Sequence, residues 1–160
     1  MTSGTDLLDA ARQDLPEAVA LRRDLHQHPE LGNDLPRTQA AVLDALSPLD
    51  LDVRTGTMVS SVVATLDTGR PGGTILLRGD MDALPMDEDT DLDFRSTVPG
   101  AMHACGHDAH TAMLVSAARL IAERSDQLGG KVVFMFQPGE EGHHGAKLML
   151  DEGLLDGLDV

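Results

Sequence analysis

The sequence predicts an α/β domain in which a mostly parallel or mixed sheet is covered by helices. Two nearly continuous apolar runs, at residues 74–78 and 131–136, have strand length and the composition of strands buried on both faces. Between them lies the clearest helical stretch, residues 109–121, rich in Ala, Leu and Met. Helices interleaved with fully apolar strands belong to a sheet with covered faces.

The elements follow in chain order. Residues 6–26 read as a helix, because Leu7, Leu8, Ala11, Leu15, Val19, Leu21 and Leu25 recur at steps of three and four. Pro16 is expected to restart that helix at a first turn. The stretch His28-Pro29-Glu30-Leu31-Gly32 ends it, and residues 38–46 form a second amphipathic helix closed by Ser47-Pro48. The period then changes to strands at 51–54 and 59–66, followed by a turn through Gly69-Arg70-Pro71-Gly72-Gly73. Gly129-Gly130 precedes the strand at 131–136, residues 145–152 are helical, and 152–160 read as the approach to another strand.

Composition narrows the function classes. A chain of 160 residues suits one domain, and at 41% hydrophobic it builds an ordinary core. With three Phe and no Tyr or Trp, a base-stacking platform is not expected. The formal charge of −15, from 27 acids against 12 bases, repels nucleic acid and anionic membrane. A single cysteine, Cys105, forbids an intrachain disulfide, no apolar run has the length of a membrane span, and the first residues lack the pattern of a signal peptide. Cytoplasm is the expected compartment.

The chemistry gathers at strand ends. In α/β sheets, ligands collect beyond the carboxyl ends of parallel strands. The run 74–78 empties into Gly79-Asp80-Met81-Asp82, and the run 131–136 into Gln137-Pro138-Gly139-Glu140-Glu141-Gly142. Between them, residues 103–110 hold three His, one Cys and one Asp. Cys105 and His107, hinged by Gly106, can bite one metal from a loop, and thiolate, imidazole and carboxylate together suit a zinc-like ion. A lone Cys is also a common core residue, and acids after strands are often solvated turns. Of Glu140 and Glu141, spacing allows either to bind metal while its neighbour takes a proton from water.

At these residues the chain resembles the amidohydrolase branch of the M20 metallopeptidases, which includes hippurate hydrolases, N-acyl-L-amino acid amidohydrolases and plant auxin-conjugate hydrolases. The resemblance is carried by LRRDLHQHPELG from Leu21, LRGDMDALP from Leu77, HACGHDAHTA from His103 and FQPGEEG from Phe136. It implies part of a zinc-peptidase-like catalytic domain, with two divalent ions, zinc or manganese foremost and cobalt or nickel after them. Cys105, His107 and Glu141 match metal ligands, Cys105 in the bridging position. Glu140 matches the general base, and Asp82 the acid that orients His107. Asp80 lies nearby without a defined role. His103, Asp108 and His110 are expected to be loop architecture, with Asp108 capping the following helix and His110 satisfying a buried carbonyl. His26 and His28 are expected in packing or turns, and His143 and His144 at the surface. The stretch Asn33-Asp34-Leu35-Pro36 departs from the family pattern.

The family pattern also has two histidine ligands further along and an inserted lid domain that mediates dimerisation. Residues 1–160 are therefore expected to be the N-terminal part of the catalytic domain, inactive and prone to self-association alone. The implied substrate is a small N-acyl or N-aroyl amino acid, and the whole enzyme a homodimer. The alternatives are a dipeptidase or related M20 peptidase, a metal-binding segment without catalysis, and a purely structural protein.

Overall fold

The computed structural model describes residues 4–159. Among these residues four α-helices and four strands run in the order α1 (Gly4–Gln27), α2 (Pro36–Leu46), β1 (Asp52–Thr55), β2 (Val62–Asp67), β3 (Thr74–Asp80), α3 (His107–Ala122), β4 (Lys131–Gln137) and α4 (Gly145–Asp151), with a short 3-10 turn at Ser125–Gln127 before β4. The sheet order is β1-β2-β4-β3. Only β3 and β4 are parallel, while β1–β2 and β2–β4 are antiparallel, so the sheet is mixed. Pairing partners are not encoded in local periodicity, which is why strand composition left parallel and mixed sheets open.

β4 is the central strand, and its alternation sorts the core into two faces. Phe134 and Phe136 join Val62, Ala64, Val42, Leu46, Leu114, Val115 and Ala118 under α2 and α3. Val133 and Met135 join Val59, Val63, Met149 and Leu154 on the α4 side. Leu, Val and Met fill both layers and two of the three Phe join the first, as the lack of Tyr and Trp requires.

Several boundaries differ from expectation, each for a local reason. α1 runs unbroken through Pro16 instead of restarting there. Leu7, Leu8, Leu15 and Val19 of its apolar stripe are exposed, whereas Leu25 is buried and Leu21 packs against the core. Its middle meets α3 through polar contacts, with Asp14 accepting from Ser116 and Arg119. β3 extends two residues further than its apolar run, because register with β4 continues to Asp80↔Gln137. α3 begins at His107, two residues early, behind Gly106 in the left-handed conformation (φ +82°). Residues 152–157 form turns, with no strand among the described residues there. No described helix is long and apolar enough to cross a membrane.

The consequence for function lies at one sheet edge. Because β3 and β4 are parallel neighbours, their carboxyl ends, and the acidic segments that follow them, emerge together. α3 starts beside the same edge and packs closely on β3 at Gly79, where an added Cβ would stand 3.1 Å from the His110 carbonyl oxygen. Phe134, fully buried at the middle of β4, carries the packing that fixes this edge. Phe134→Ala should lower unfolding free energy by about 3–5 kcal/mol, measured by urea denaturation. A loss under about 1 kcal/mol would mean that the two faces do not depend on β4 as described.

Candidate metal centre

His107 is the first residue of α3 and is buried. Its Nδ1–H donates to the Asp82 backbone carbonyl at 2.8 Å, with Asp82 Oδ1 3.5 Å away. That hydrogen bond sets the tautomer and leaves Nε2 free to act as a ligand. The Asp82 carboxylate, fully buried, mainly serves another purpose. Its Oδ1 accepts the Glu140 amide at 2.9 Å and its Oδ2 the Glu141 amide at 3.0 Å. Burial raises the Asp82 pKa, but the His107 hydrogen bond and the two amides outweigh it, so the group lies below the usual carboxylate range.

Around His107 Nε2 stand three carboxylates: Asp80 Oδ1 at 3.6 Å, Glu140 Oε2 at 3.9 Å and Glu141 Oε1 at 3.9 Å. Burial of the ring works against its charge. The Asp82 hydrogen bond and the Asp80 charge prevail, raising the His107 pKa to about 9. Cys105 is exposed, and its thiol is held above its ordinary range, first by a hydrogen bond to Glu141 and then by the surrounding carboxylates.

One ligand atom each from Cys105, His107 and Glu141 lie within 4.8 Å of one another. Glu141 Oε1 is buried without a hydrogen-bond partner. A thiol, a free imidazole nitrogen and an orphaned carboxylate oxygen converging this closely fit a thiophilic divalent cation. Asp80, His107 and His110 also converge, but His110 Nδ1 is already hydrogen-bonded to Asp80 Oδ1 at 2.6 Å, and Arg78 sits 3.2 Å from Asp80 Oδ2. This second group is internally satisfied.

Other expectations shift. Asp108 does not cap α3: the helix start has no side-chain cap, and Asp108 turns to Arg22 and His26. His110 bonds a carboxylate, not a buried carbonyl. His28 does close a turn, through the Asp24 carbonyl at 2.8 Å, whereas His26 belongs to a buried polar cluster that the sequence reading missed. Arg22 and His26, one turn apart on α1, were the available signal. His143 and His144 are exposed, and His144 adopts φ +57° ahead of α4. The atypical Asn33 reaches this same loop, its Nδ2 donating to the His143 carbonyl at 3.0 Å.

Known proteins resemble the chain throughout. The description Peptidase family M20/M25/M40 matches residues 76–160. Thermostable carboxypeptidase 1 of Saccharolobus solfataricus is 40% identical over 96% of this chain and 41% of its own length. The N-acyl-L-amino acid amidohydrolase of Geobacillus stearothermophilus is 41% identical over 96% of this chain and 41% of its own. The structure of the Bacillus subtilis YXEP protein, a dinuclear metal binding peptidase, superposes with a TM-score of 0.84 at 39% identity, covering 89% of this chain and 40% of that one. The chain thus spans about two fifths of these relatives.

A metal taken up by Cys105 Sγ and His107 Nε2 would have to displace their protons, which both groups hold to raised pKa values. Below pH 9, apparent metal affinity should therefore rise by roughly 10- to 100-fold per pH unit, for one or two protons expelled. Chelator-competition titrations at several pH values measure this. An affinity that ignores pH would remove both groups from the ligand set.

Proposed function

Since the chain belongs to peptidase family M20/M25/M40, we propose that it carries the metal-holding part of a metal-dependent amidohydrolase for small N-acyl or N-aroyl amino acids. The observation that carries this reading is the convergence of Cys105, His107 and Glu141 beside a carboxylate, Asp82, that holds the backbone of both members of the Glu140-Glu141 pair. The likeness to a dinuclear metal binding peptidase supports two divalent ions, and the Geobacillus relative supports the substrate class.

Cys105, His107 and Glu141 would hold metal, zinc or manganese first, with cobalt and nickel as further candidates. When bound, the ions would supply Lewis acidity toward water and toward the amide carbonyl. Asp82 fixes the Glu140 and Glu141 amides side by side, so the two side chains leave one anchored segment for different tasks. Glu141, the less exposed, presents its unpartnered Oε1 to the ligand set. Glu140, more open to solvent, takes a proton from the attacking water at Oε2 and returns it to the leaving amide nitrogen. The new carbon–oxygen bond forms as the carbon–nitrogen bond breaks, giving an acid and a free amino acid.

The exposed reduced thiol needed at Cys105 favours a reducing compartment, and we place the protein in the cytoplasm. A homodimer is proposed for a chain of the relatives' length, with residues 1–160 as the first part of its catalytic domain. A peptidase reading stands second, favoured by the likeness to thermostable carboxypeptidase 1.

The test uses a chain of the relatives' length, screened against N-acetyl and N-benzoyl amino acids and dipeptides with metals varied. Acyl amino acids should be turned over faster than dipeptides, and the reverse preference would hand the site to the second reading. Glu140→Gln should keep its metal while kcat falls by roughly 10²-fold or more. Glu141→Gln should lose metal itself, read by elemental analysis. Equal metal loss in both variants would undo the division of roles.

A further inference from the structure

A second cluster of ionisable groups lies buried behind the first, and the reaction outlined above makes no use of it. Asp108, fully buried and next in sequence to His107, accepts Arg22 Nε at 2.6 Å and His26 Nδ1–H at 2.8 Å on the same oxygen, Oδ2. His26, also buried, has its Nε2 3.2 Å from Glu88 Oε1. Glu88 in turn accepts the Thr90 hydroxyl and the Ser96 amide, each at 2.6 Å. Phe94 closes the outside, its ring 4.9 Å from the Arg22 guanidinium carbon and edge-on to His26. Thus α1, the first turn of α3 and the loop of residues 85–100 are joined by one chain of charges.

Placing this many charges out of water is costly, and an apolar core of the same shape would hold these elements at least as well. What a hydrogen-bonded charge adds is direction, because its partners accept only a narrow range of angles. α3 starts from Gly106 with no side-chain cap, so no capping side chain sets the angle of its first turn. Consecutive helical residues point about 100° apart, so a clamp on Asp108 fixes the direction of His107. The sheet grips the same turn independently, through His107 Nδ1 on the Asp82 carbonyl and Thr111 Oγ1 on the Asp80 carbonyl. Among the described residues, no hydrogen bond joins the cluster to Cys105, Glu140 or Glu141, so its influence passes through the backbone of residues 105–108.

We propose that Arg22, His26, Asp108 and Glu88 form a positioning network for the metal loop, setting the geometry in which Cys105 Sγ and His107 Nε2 reach a shared cation. The proposal rests on the metal-centre reading, and the experiment separates the two. Cobalt(II) is titrated into the wild-type chain and into Asp108→Asn, His26→Gln and Glu88→Gln. Affinity, the thiolate-to-cobalt charge-transfer band and the thermal midpoint are recorded for each. Asp108→Asn should weaken cobalt binding by about 10- to 100-fold and shift the band, the range typical of groups that orient ligands. Glu88→Gln, at the far end, should weaken it several-fold with the shift in the same direction. Variants that melt earlier but bind cobalt with wild-type affinity and an unchanged band would overturn the proposal, leaving the network a purely structural one. Should Asp108→Asn fail to fold, by far-ultraviolet circular dichroism, Glu88→Gln and Arg22→Lys decide on the same two readouts. Absence of a thiolate band in the wild type would overturn the metal reading and this inference with it.

Discussion

A carboxylate removed from water must find hydrogen-bond donors or give up its charge, and Asp82 finds two in the backbone amides of Glu140 and Glu141. The arrangement extends the sheet by other means. β3 and β4 pair in register to Asp80↔Gln137, and the Met81 amide then donates to the Gln137 carbonyl at 2.8 Å. The chain then turns away at Gly139, in the left-handed conformation at φ +61°, and the backbone ladder goes no further. The Asp82 side chain takes over beyond it, catching the next two amides that carry side chains. Its own carbonyl meanwhile receives His107. One residue therefore ties the ends of two strands to the start of α3, and two of the ligand candidates, His107 and Glu141, are bonded to it directly.

How much of this could be read from the chain follows from what is local and what is not. The runs at 74–78 and 131–136 became strands because a continuous apolar run of that length has few other uses. That their acidic exits share an edge needed one further assumption, parallel neighbours, which the β3–β4 pairing meets. The antiparallel pairing of β2 with β4 had no local trace. Asp108 defeated the sequence reading for a related reason. A helix-start Asp ordinarily caps, and its turn toward Arg22 and His26, 82 or more positions away, is a tertiary choice that overrides the local one.

The charge pattern explains why so many acids coexist here. Asp80, Asp82, Glu140 and Glu141 gather round a single imidazole, in a chain already at −15. Without compensation such a cluster would repel itself apart. His107 answers by holding a second proton to about pH 9. That proton stands where a cation belongs electrostatically. The same field that raises the imidazole and the thiol would draw a divalent ion, which repays the deprotonation of both ligands.

Three histidines within eight residues are thereby given three different characters by their surroundings alone. His107 is charged by the carboxylates it faces. His110, half exposed, is locked to Asp80 through Nδ1, its ring stacked on that of His107 at 5.6 Å. His103 is buried with both ring nitrogens unpaired, and desolvation drives its pKa down to about 4. It lies 6.3 Å from the His26 ring and feels His26 and His107 as repelling charges and Asp108 and Asp82 as attracting ones. A neutral ring at this point separates the Arg22–Asp108–His26 cluster from the His107–Asp82 cluster without adding a charge to either. A lysine or arginine there would pull carboxylates from both sides and merge the two. An uncharged His103 therefore leaves the two clusters electrostatically separate.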